Sequence, residues 1–469
     1  MTAPWLDDAC GLVDAFRRQI ISPAEALEAS IGAIEGSSLN AFSHTDFERA
    51  MEAARVADVM LPFGGVPFGV KELEHVARWP YTEGSTLFRD RVSDYDQTSI
   101  ARLRRAGAIL AAQTTASEFG GINCTSTALH GTTRNPWNPE RTPGGSSGGT
   151  AAAVAGGLLP IATGSDGGGS IRIPAGFAGL FGLKATYGRI PKGPHAGVEP
   201  LTSVLGCLSR SVRDTARFFD ACNGFDQRDP LSLPAVGGWE AGLGSHDLAG
   251  KTVVIAPDLG TARVRDEVAE IVRSAAERLA KAAGLKVVDH PLTLPPLRGQ
   301  WAMAGQPGFV VTLGACYPDR IDELSPEMRM GLESARERFT LERAAAIEAW
   351  RRQLNEAMAD IFEAADFVMA STNPDVAFVA TGPPPSTIPG ADLIHEIGFA
   401  RAIMNNAALT APSNMNGSPA MSIPAGVVDG LPVGLQVLAA HHREPLLLDL
   451  ALVAERELPW PRVAPGSPV

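Results

Sequence analysis

Two short glycine-rich segments hold serines in surroundings that could do chemistry. The first, GGSSGGT, covers residues 144–150, and the second, GSDGGGSIRIPAG, covers residues 164–176 and places Ser170 directly after three glycines. Glycine loses much conformational entropy when it is ordered, so each cluster needs a reason. Consecutive glycines let backbone N–H groups approach a ligand closely, as an oxyanion hole requires. By itself, the second segment fits a tight turn beneath a sheet equally well.

The first segment has three competing interpretations. A phosphate-binding loop of the Walker type needs lysine after the last glycine, where this chain has Thr150. A nucleophile elbow needs a strand directly before the serine, whereas the preceding TRNPWNPERTP suits a loop because of its prolines. A flexible linker conflicts with the apolar TAAAVAGGLLPIATG that follows, which predicts a buried helix and then a strand. The serines are therefore expected in a buried setting that none of these interpretations explains.

The composition limits the classes of protein to consider. The chain has 469 residues, of which 45% are hydrophobic and 20% are charged, so it can bury a large core. A formal net charge of -12 without a basic block argues against direct binding of nucleic acid or an anionic membrane. The opening MTAPWLDDACGLVDAF lacks the features of a signal peptide, and no apolar run reaches the roughly 18 residues of a membrane span. We therefore expect a cytoplasmic globular protein.

Cysteine and histidine show no pattern typical of metal binding. The five cysteines are odd in number and lack CxxC spacing, which favours neither a disulfide framework nor a zinc site. The nine histidines include no HExxH motif. The sequence thus predicts no metal and no cofactor, and Cys316 is interpreted as a small buried hydrophobic residue.

The elements around the two segments must position their serines. GVPFGVKEL predicts a short buried strand that runs into Lys71. SIARLRRAGAILAAQT has the period of a helix and then becomes a strand, with Gly107 as the stop between them. Nearer the N-terminus, Ser22, Pro23 and Glu25 form the capping box of another helix.

The rest of the chain predicts a single α/β domain. KTVVIAP, VRDEVAEIVRSAAERLAKAAG and LKVVDHPL form a strand–helix–strand unit, typical of a parallel pair, and residues 325–366 are predicted to be helical. SPAMSIPAG and GLPVGLQVLAA predict two strands joined by the turn residues Asp429 and Gly430, before a last helix in EPLLLDLALVAERE. Residues 461–469 are expected to fray. Because no linker or repeat is visible, residues 1–469 are predicted to form one domain.

Taken together, three segments resemble the amidase signature family. They are GVPFGVKE, GGSSGGTAAAVAGG and GSDGGGSIRIPAGFAGLFGLKATYGRI, in the family's order and at similar separations. The resemblance extends to TRNPWNPERTPGG and NGSPAMSIPAGVVDGLPVGLQVLA, so it covers most of the chain. It implies a twisted, mixed β-sheet covered by helices on both faces. It also implies a catalytic core at about residues 60–225 and a variable substrate region at about residues 295–385.

The resemblance implies a Ser–cis-Ser–Lys triad and assigns its members. Ser170 would be the nucleophile, Ser146 the bridging serine after a cis peptide bond, and Lys71 the terminal base. A reference lysine pKa near 10.4 leaves the ammonium charged at pH 7, so burial against VPFGV must lower it. We expect kcat/KM to rise with pH between about pH 6 and 8. Glu72 threatens this expectation, although adjacent strand side chains point to opposite faces and should direct it away.

The resemblance also assigns supporting residues around the nucleophile. The oxyanion hole would be formed by the backbone N–H groups of Gly167, Gly168, Gly169 and Ser170. Ser147 would hydrogen-bond within the triad network, while Asp166 and Arg172 would brace the catalytic loop. The chain departs from the family pattern at Gly167, where threonine or isoleucine is usual. This departure should loosen the loop without deleting a backbone donor.

These assignments predict an amidase that cleaves a carboxamide C–N bond through an acyl-enzyme. The family contains stand-alone amidases and the glutaminase A subunit of tRNA-dependent amidotransferases. We favour a stand-alone amidase because the helical residues 325–366 are more typical of those members, and the A subunit remains the alternative. The expected partner is a small-molecule amide, and the sequence is compatible with a homodimer. Aromatic and apolar residues in 295–385 favour an apolar acyl group, although they suit a core equally well.

Overall fold

The computed structural model describes residues 4–197 and 200–468 as an α/β fold. Its α-helices in chain order are α1 Ala9–Arg17, α2 Pro23–Gly36, α3 Phe47–Arg55, α4 Thr98–Arg105, α5 Gly148–Ala155, α6 Arg172–Ala178, α7 Val212–Cys222, α8 Asp266–Ala282, α9 Gln300–Ala304, α10 Gln306–Leu313, α11 Pro326–Glu337, α12 Leu341–Ala364, α13 Leu393–Ile397, α14 Phe399–Ala402, α15 Asn405–Ala408, α16 Ala411–Asn416 and α17 Glu444–Glu457. Its strands are β1 Phe42–Thr45, β2 Pro67–Lys71, β3 Ile109–Thr114, β4 Ser126–Thr127, β5 Gly131–Thr132, β6 Ile161–Asp166, β7 Phe181–Lys184, β8 Val204–Ser209, β9 Thr252–Ile255, β10 Lys286–Val287, β11 Phe367–Ser371, β12 Thr387–Ile388, β13 Ala391–Asp392, β14 Ala420–Val428 and β15 Leu431–Ala439.

Most of these strands belong to one mixed sheet. In the described part of the chain it is 11-stranded, in the order β1-β3-β2-β6-β8-β7-β14-β15-β11-β9-β10. β2 lies between β3 and β6 and runs parallel to both, whereas β8 is antiparallel to its neighbours β6 and β7. β11, β9 and β10 form a second parallel group. The chain is therefore a single large α/β domain, as the sequence predicts.

Strand β2 delivers Lys71 into the interior. All five of its residues, PFGVK, are buried, and an apolar run buried on both faces is typical of a strand in a parallel sheet. β6, which carries IATGSD, is parallel to β2, so the carboxyl ends of the two strands meet at the same edge. In open α/β sheets this edge is the usual position of a ligand site.

Helix α5 explains the glycine pair that precedes the apolar run. Every residue of its GGTAAAVA sequence is buried. A Cβ added to Gly149 would lie 2.3 Å from Thr115 Oγ1 and 2.4 Å from the Thr115 backbone nitrogen. A Cβ added to Gly148 would lie 2.3 Å from Thr125 Oγ1. The glycines therefore let the helix approach the end of β3 and the following loop more closely than any side chain would permit.

The local predictions hold for the principal elements. Ser22 and Glu25 form the reciprocal capping box of α2. β9, α8 and β10 form the predicted parallel unit, and α11 and α12 occupy the predicted helical region. β14 and β15 pair antiparallel through Asp429 and Gly430, whose φ angles of 52° and 75° fit a two-residue hairpin turn.

The C-terminal segment contacts the body of the fold at Ala464, and one prediction of burial is wrong. The Ala464 N–H donates to the Ala155 carbonyl at 2.7 Å and Ala464 is 2% exposed; the fraying expected for residues 461–469 stays a prediction, and residue 469 lies outside the described residues. Cys316 is only half-buried, because it sits at the margin of a small apolar cluster around α10 and α11. Among the described helices, none is both long enough and apolar enough to cross a membrane.

Candidate active site

Lys71 ends β2 with its side chain completely buried among hydroxyl groups. Its Nζ lies 2.8 Å from Ser146 Oγ, 2.8 Å from Ser147 Oγ and 2.9 Å from Ser165 Oγ. Ser146 and Ser147 come from the loop before α5, and Ser165 comes from the neighbouring strand β6. The amine is thus held where two parallel strands and a helix start converge, as the three sequence segments require.

The hydrogen-bond directions restrict which hydroxyl can give a proton to Lys71. A neutral amine has two N–H groups and one lone pair, so three hydroxyl neighbours require that one of them donates. The Ser147 hydroxyl already donates to the Ser165 carbonyl at 3.3 Å, so Ser147 accepts from Nζ. Donation to the lone pair therefore falls to Ser146 or Ser165, and Ser146 is the one that the resemblance assigns to the relay.

Burial sets the charge of Lys71. Desolvation lowers the pKa of its ammonium to about 7, against the smaller raising effects of Glu74, Asp166 and Glu72. The side chain of Glu72 contacts other groups: Oε1 accepts a hydrogen bond from the Ala116 N–H at 3.3 Å, and Oε2 lies 3.1 Å from His130 Nε2 without forming a hydrogen bond. Glu72 therefore turns away from the serines, as predicted.

Glu74 is a buried carboxyl that sequence reasoning missed. It is 2% exposed, and burial raises its pKa to about 7 despite a hydrogen bond with Thr163 and the attraction of Lys71. Because the attraction is mutual, Glu74 opposes part of the desolvation that makes Lys71 neutral. It follows the strand by three positions, outside the alternation of β2, so no periodicity marks it.

Close packing fixes the backbone around Ser146. The Gly145–Ser146 peptide bond is cis, as the resemblance implies, and Ser146 is 2% exposed. A Cβ on Gly145 would lie 2.7 Å from the backbone nitrogen of Cys124 and the carbonyl oxygen of Ile122. Gly144 has a φ of 95°, in the region that favours glycine. These contacts explain why glycines flank the serines.

Ser170 stands at the turn between β6 and α6, and its surface is half-buried. Within the described residues its hydroxyl forms no hydrogen bond, so the Ser146–Ser170 link of the predicted relay is not formed in this structure. Catalytic hydrogen bonds are often long until substrate is bound. The structure thus brings Lys71 and Ser146 into contact, and the role of Ser170 remains a prediction.

One member of the predicted oxyanion hole needs correction. The Gly169 N–H donates to Asp166 Oδ1 at 2.7 Å, so this amide holds the loop and does not face a substrate. The N–H groups of Gly167, Gly168 and Ser170 have no acceptor among the described residues. They remain available to a developing oxyanion, and Gly169 instead provides a φ of 128° that turns the chain toward Ser170.

Asp166 and Arg172, which the resemblance predicts to brace this loop, form an ion pair within it. Both are fully buried, and the guanidinium contacts both carboxylate oxygens, with Nε donating to Oδ2 at 3.0 Å and Nη2 to Oδ1 at 2.9 Å. Burial raises the pKa of Asp166, but the charge and hydrogen bonds of Arg172 outweigh burial and hold that pKa below its ordinary value. Arg172 also donates to four groups near the C-terminus: Thr410 O, Ser413 Oγ, Asn414 Oδ1 and Gln436 Oε1.

The variable region reaches the site through a few side chains. Trp301 in α9 donates from Nε1 to the Gly167 carbonyl at 2.6 Å. Met328 in α11 packs against Gly121, where an added Cβ would lie 2.0 Å from its Cε. Glu118 binds the start of α11, since its Oε2 accepts from the Ser325 N–H at 2.9 Å. None of these contacts carries a local sequence signal.

A different signal could have found Ser165. Thr163 and Ser165 lie two residues apart on β6, so they share a face. Thr163 Oγ1 accepts from the Lys71 backbone N–H at 2.9 Å, and Ser165 contacts Nζ.

The described residues contain no group of three or more His, Cys, Asp or Glu side chains placed to hold a metal ion.

Comparison with known proteins agrees with this architecture. The sequence profile of the Amidase family matches residues 25–448. The chain is 33% identical over 455 residues to the A subunit of the glutamyl-tRNA(Gln) amidotransferase of Akkermansia muciniphila, covering 93% of this chain and 96% of that protein. It is 32% identical over 458 residues to an acylamidase of Rhodococcus erythropolis, covering 95% and 94%. A bacterial aryl acylamidase structure matches 97% of both chains with a TM-score of 0.88 and 27% identity.

The chain therefore belongs to the amidase signature family and is a hydrolase that acts on amides. The acylamidase and the amidotransferase protein match it to nearly the same degree. Overall sequence identity therefore does not distinguish between these two activities. The residues of the site must distinguish them.

Proposed function

We propose that this protein is a stand-alone serine amidase that forms an acyl-enzyme on Ser170. One observation carries the proposal: a completely buried lysine, with its pKa lowered to about 7 by desolvation, lies 2.8 Å from Ser146 Oγ. Near neutral pH a substantial fraction of Lys71 is an amine that can accept a proton. Lys184 is buried to the same degree, but its Nζ donates only to a backbone carbonyl among the described residues, so the contact with the serine hydroxyls is what distinguishes Lys71.

The reaction begins with proton transfer along the serines. Ser170 Oγ attacks the amide carbonyl carbon as its proton passes to Ser146, and the Ser146 proton passes to Lys71 Nζ. The carbonyl oxygen becomes an oxyanion that accepts hydrogen bonds from the free N–H groups of the Gly167–Ser170 loop. The proton then returns through Ser146 to the nitrogen of the leaving amine. The C–N bond breaks and the acyl group remains on Ser170.

Water completes the cycle by the same route. It attacks the acyl carbon while its proton passes through Ser146 to Lys71, and the ester bond to Ser170 breaks. Ser170 recovers a proton from the relay, and the carboxylic acid leaves. Lys71 thus ends each half-reaction as a neutral amine, so the cycle needs no net proton from Lys71.

The walls contributed by the variable region favour a substrate with an apolar part. Trp301 covers Gly168, and Met328 covers Gly121, where it joins an apolar cluster that includes Phe119. Glutamine would need partners for its α-ammonium and α-carboxylate, and these three side chains supply none. We therefore propose aryl or alkyl amides as the substrate class.

A panel of amides tests this proposal. 4-Nitroacetanilide, benzamide, hexanamide and glutamine are each incubated with the wild type and with Ser170→Ala, and released amine or ammonia is measured. We expect turnover of at least one apolar amide by the wild type alone. Equal turnover by Ser170→Ala would overturn the proposed nucleophile.

The similarity to an amidotransferase protein favours a second candidate, a glutaminase that supplies ammonia to a partner. This function uses the same lysine and serines, so the geometry of the base does not exclude it. Glutaminase activity that appears only with a co-purified partner, and no hydrolysis of the apolar amides, would select it over our proposal.

A further inference from the structure

Trp301 is the point where the variable region meets the loop before Ser170. It is half-buried in α9, and its ring packs against the main core. Nε1 donates to the Gly167 carbonyl at 2.6 Å. A Cβ on Gly168 would lie 2.6 Å from Trp301 Cε2 and Cζ2, so the indole lies directly on this glycine.

Because the peptide group is rigid, the hydrogen bond from Trp301 to the Gly167 carbonyl also fixes the direction of the Gly168 N–H. A trans peptide is planar, and its C=O and N–H point in opposite directions. The Gly167 carbonyl and the Gly168 N–H belong to one such group. Because the indole holds the carbonyl on one side, the Gly168 N–H must point to the other side.

The next peptide group is held differently. Thr410 Oγ1 donates to the Gly168 carbonyl at 2.6 Å, and the Gly169 N–H donates to Asp166 Oδ1 at 2.7 Å. That group is therefore fixed at both ends by the body of the fold. In the described part of the chain, Trp301 makes the only hydrogen bond to the group that joins Gly167 and Gly168.

Because residue 167 is a glycine, its peptide group depends on the hydrogen bond from Trp301 for its orientation. A Cβ at this position would meet only Ser203, with its nearest atom at an ordinary contact distance of 3.7 Å. The space for a side chain exists, yet the residue is glycine and its backbone is the least restricted of any residue type. Gly167 itself therefore does little to restrain this peptide group.

We propose that Trp301 is a positioning residue that aims the Gly168 N–H at the oxyanion and compensates for the conformational freedom of Gly167. The inference rests on the proposed function, because it requires that Ser170 attack a carbonyl or an equivalent centre. It links residues 295–385 to catalytic rate, because a side chain of that region would orient a backbone donor of the catalytic loop.

The test uses the phosphonylation of Ser170 by a fluorophosphonate. Ser170 Oγ bonds to phosphorus, its proton passes to the base, and fluoride leaves with the electron pair, so negative charge develops on the phosphoryl oxygen near Gly168. Trp301→Phe keeps the ring and removes the N–H donor. The matched control is Trp460→Phe, since Trp460 is also half-buried and donates to a backbone carbonyl, that of Arg210 at 3.2 Å.

We expect Trp301→Phe to lower the maximal rate of phosphonylation, kinact, about tenfold, less than the loss of a whole oxyanion donor, with KI within about twofold. Trp460→Phe should leave both constants unchanged, and both variants should have similar Tm values. Adding Gly167→Ala to Trp301→Phe should restore part of kinact, because alanine restricts the loop. An unchanged kinact in Trp301→Phe, or a change in KI alone, would overturn the positioning role.

The wild type separates failure of this inference from failure of the proposed function. Labelling of Ser170 in the wild type, located by mass spectrometry and lost in Ser170→Ala, supports the nucleophile whatever Trp301 does. Labelling with an unchanged kinact in Trp301→Phe defeats the positioning role alone. A wild type that is folded and never labelled at Ser170 defeats both.

Discussion

Two helical regions border the candidate site, and they are built in opposite ways. α5, which follows Ser146 and Ser147, consists of small residues that are all buried. The second region comprises α9–α11, whose contacts with the site come from Trp301 of α9 and Met328 of α11. The intervening α10 buries only Gln306 and Leu313 and leaves Val311 87% exposed. The first region fixes the base through dense backbone contacts, whereas the second reaches the loop through single side chains. We therefore expect substitutions in the second region to leave the position of Lys71 unchanged.

The largest effect should come from the nucleophile. Ser170→Ala removes the atom that we propose forms the acyl-enzyme, so we expect kcat to fall by about 10⁴-fold or more. The expected Tm is close to that of the wild type, because Ser170 is half-buried and its hydroxyl forms no hydrogen bond among the described residues. Steady-state kinetics on the best amide of the panel, with a thermal melt, checks both expectations.

Loss of the base should come next, and the fold offers a matched control. Lys71→Ala should lower kcat by roughly 10²–10⁴-fold, because no group then takes the serine proton. Lys184 in β7 is also completely buried, and burial lowers its pKa to about 7, yet its Nζ donates only to the Ala185 carbonyl among the described residues. Lys184→Ala should reduce Tm and retain far more activity than Lys71→Ala. Equal kinetic losses in the two variants would mean that burial of a lysine matters to the fold and not to the relay.

Substitution of one helical glycine in each region tests how tightly that region is packed. Gly149→Ala in α5 would push a Cβ to within 2.4 Å of backbone in Thr115, so we expect it to lower the free energy of unfolding by roughly 1–3 kcal/mol. In α10, a Cβ on Gly308 would meet nothing within 4 Å. Gly308→Ala should therefore stabilise the protein by about 0.5–1 kcal/mol.

Denaturant unfolding of both variants measures this difference. If Gly149→Ala proved as harmless as Gly308→Ala, the dense packing around the serine loop would not be what holds it.

The smallest effect concerns the tuning of Lys71. Glu74 raises the pKa of the ammonium, so Glu74→Gln should make Lys71 easier to deprotonate and move the rising limb of kcat/KM to lower pH, by up to about one unit. Glu72→Gln is the control, because Glu72 is the weakest of the three contributing carboxylates and should move the limb less. A limb that moved to higher pH in Glu74→Gln would contradict this assignment.

The sequence predicts the elements that hold Lys71 and the serines, because the signals for these elements are local. The apolar run before Lys71 predicts a buried strand, and the glycines around Ser146 and Ser170 predict close backbone approach. The capping box at Ser22 and the turn at Asp429 are likewise read from neighbouring residues. The family resemblance is based on the same short-range patterns. The roles of the serines come from that resemblance, because the patterns alone do not indicate them.

The features that the sequence does not predict depend on contacts between segments that are distant in the chain. Trp301 lies 134 positions from the carbonyl that it binds, and Thr410 lies 242 positions from its carbonyl partner. Nothing near either residue indicates a contact with the loop. The engagement of the Gly169 N–H by Asp166 also escaped prediction, because three glycines in a row do not indicate which amide turns inward. The contact of Ala464 with Ala155 likewise has no local sequence signal, because the two residues are far apart in the chain.

The pH dependence of Ser170 phosphonylation tests most directly whether neutral Lys71 is the base. Burial lowers the pKa of Lys71 to about 7, so the amine is scarce below that pH and predominates above it. The second-order rate constant with a fluorophosphonate should rise about tenfold per pH unit at low pH, bend near pH 7 and become level above it. The limb should disappear in Lys71→Ala. A wild-type rate that stays flat from pH 5 to 9 would contradict the claim that Lys71 accepts the Ser170 proton.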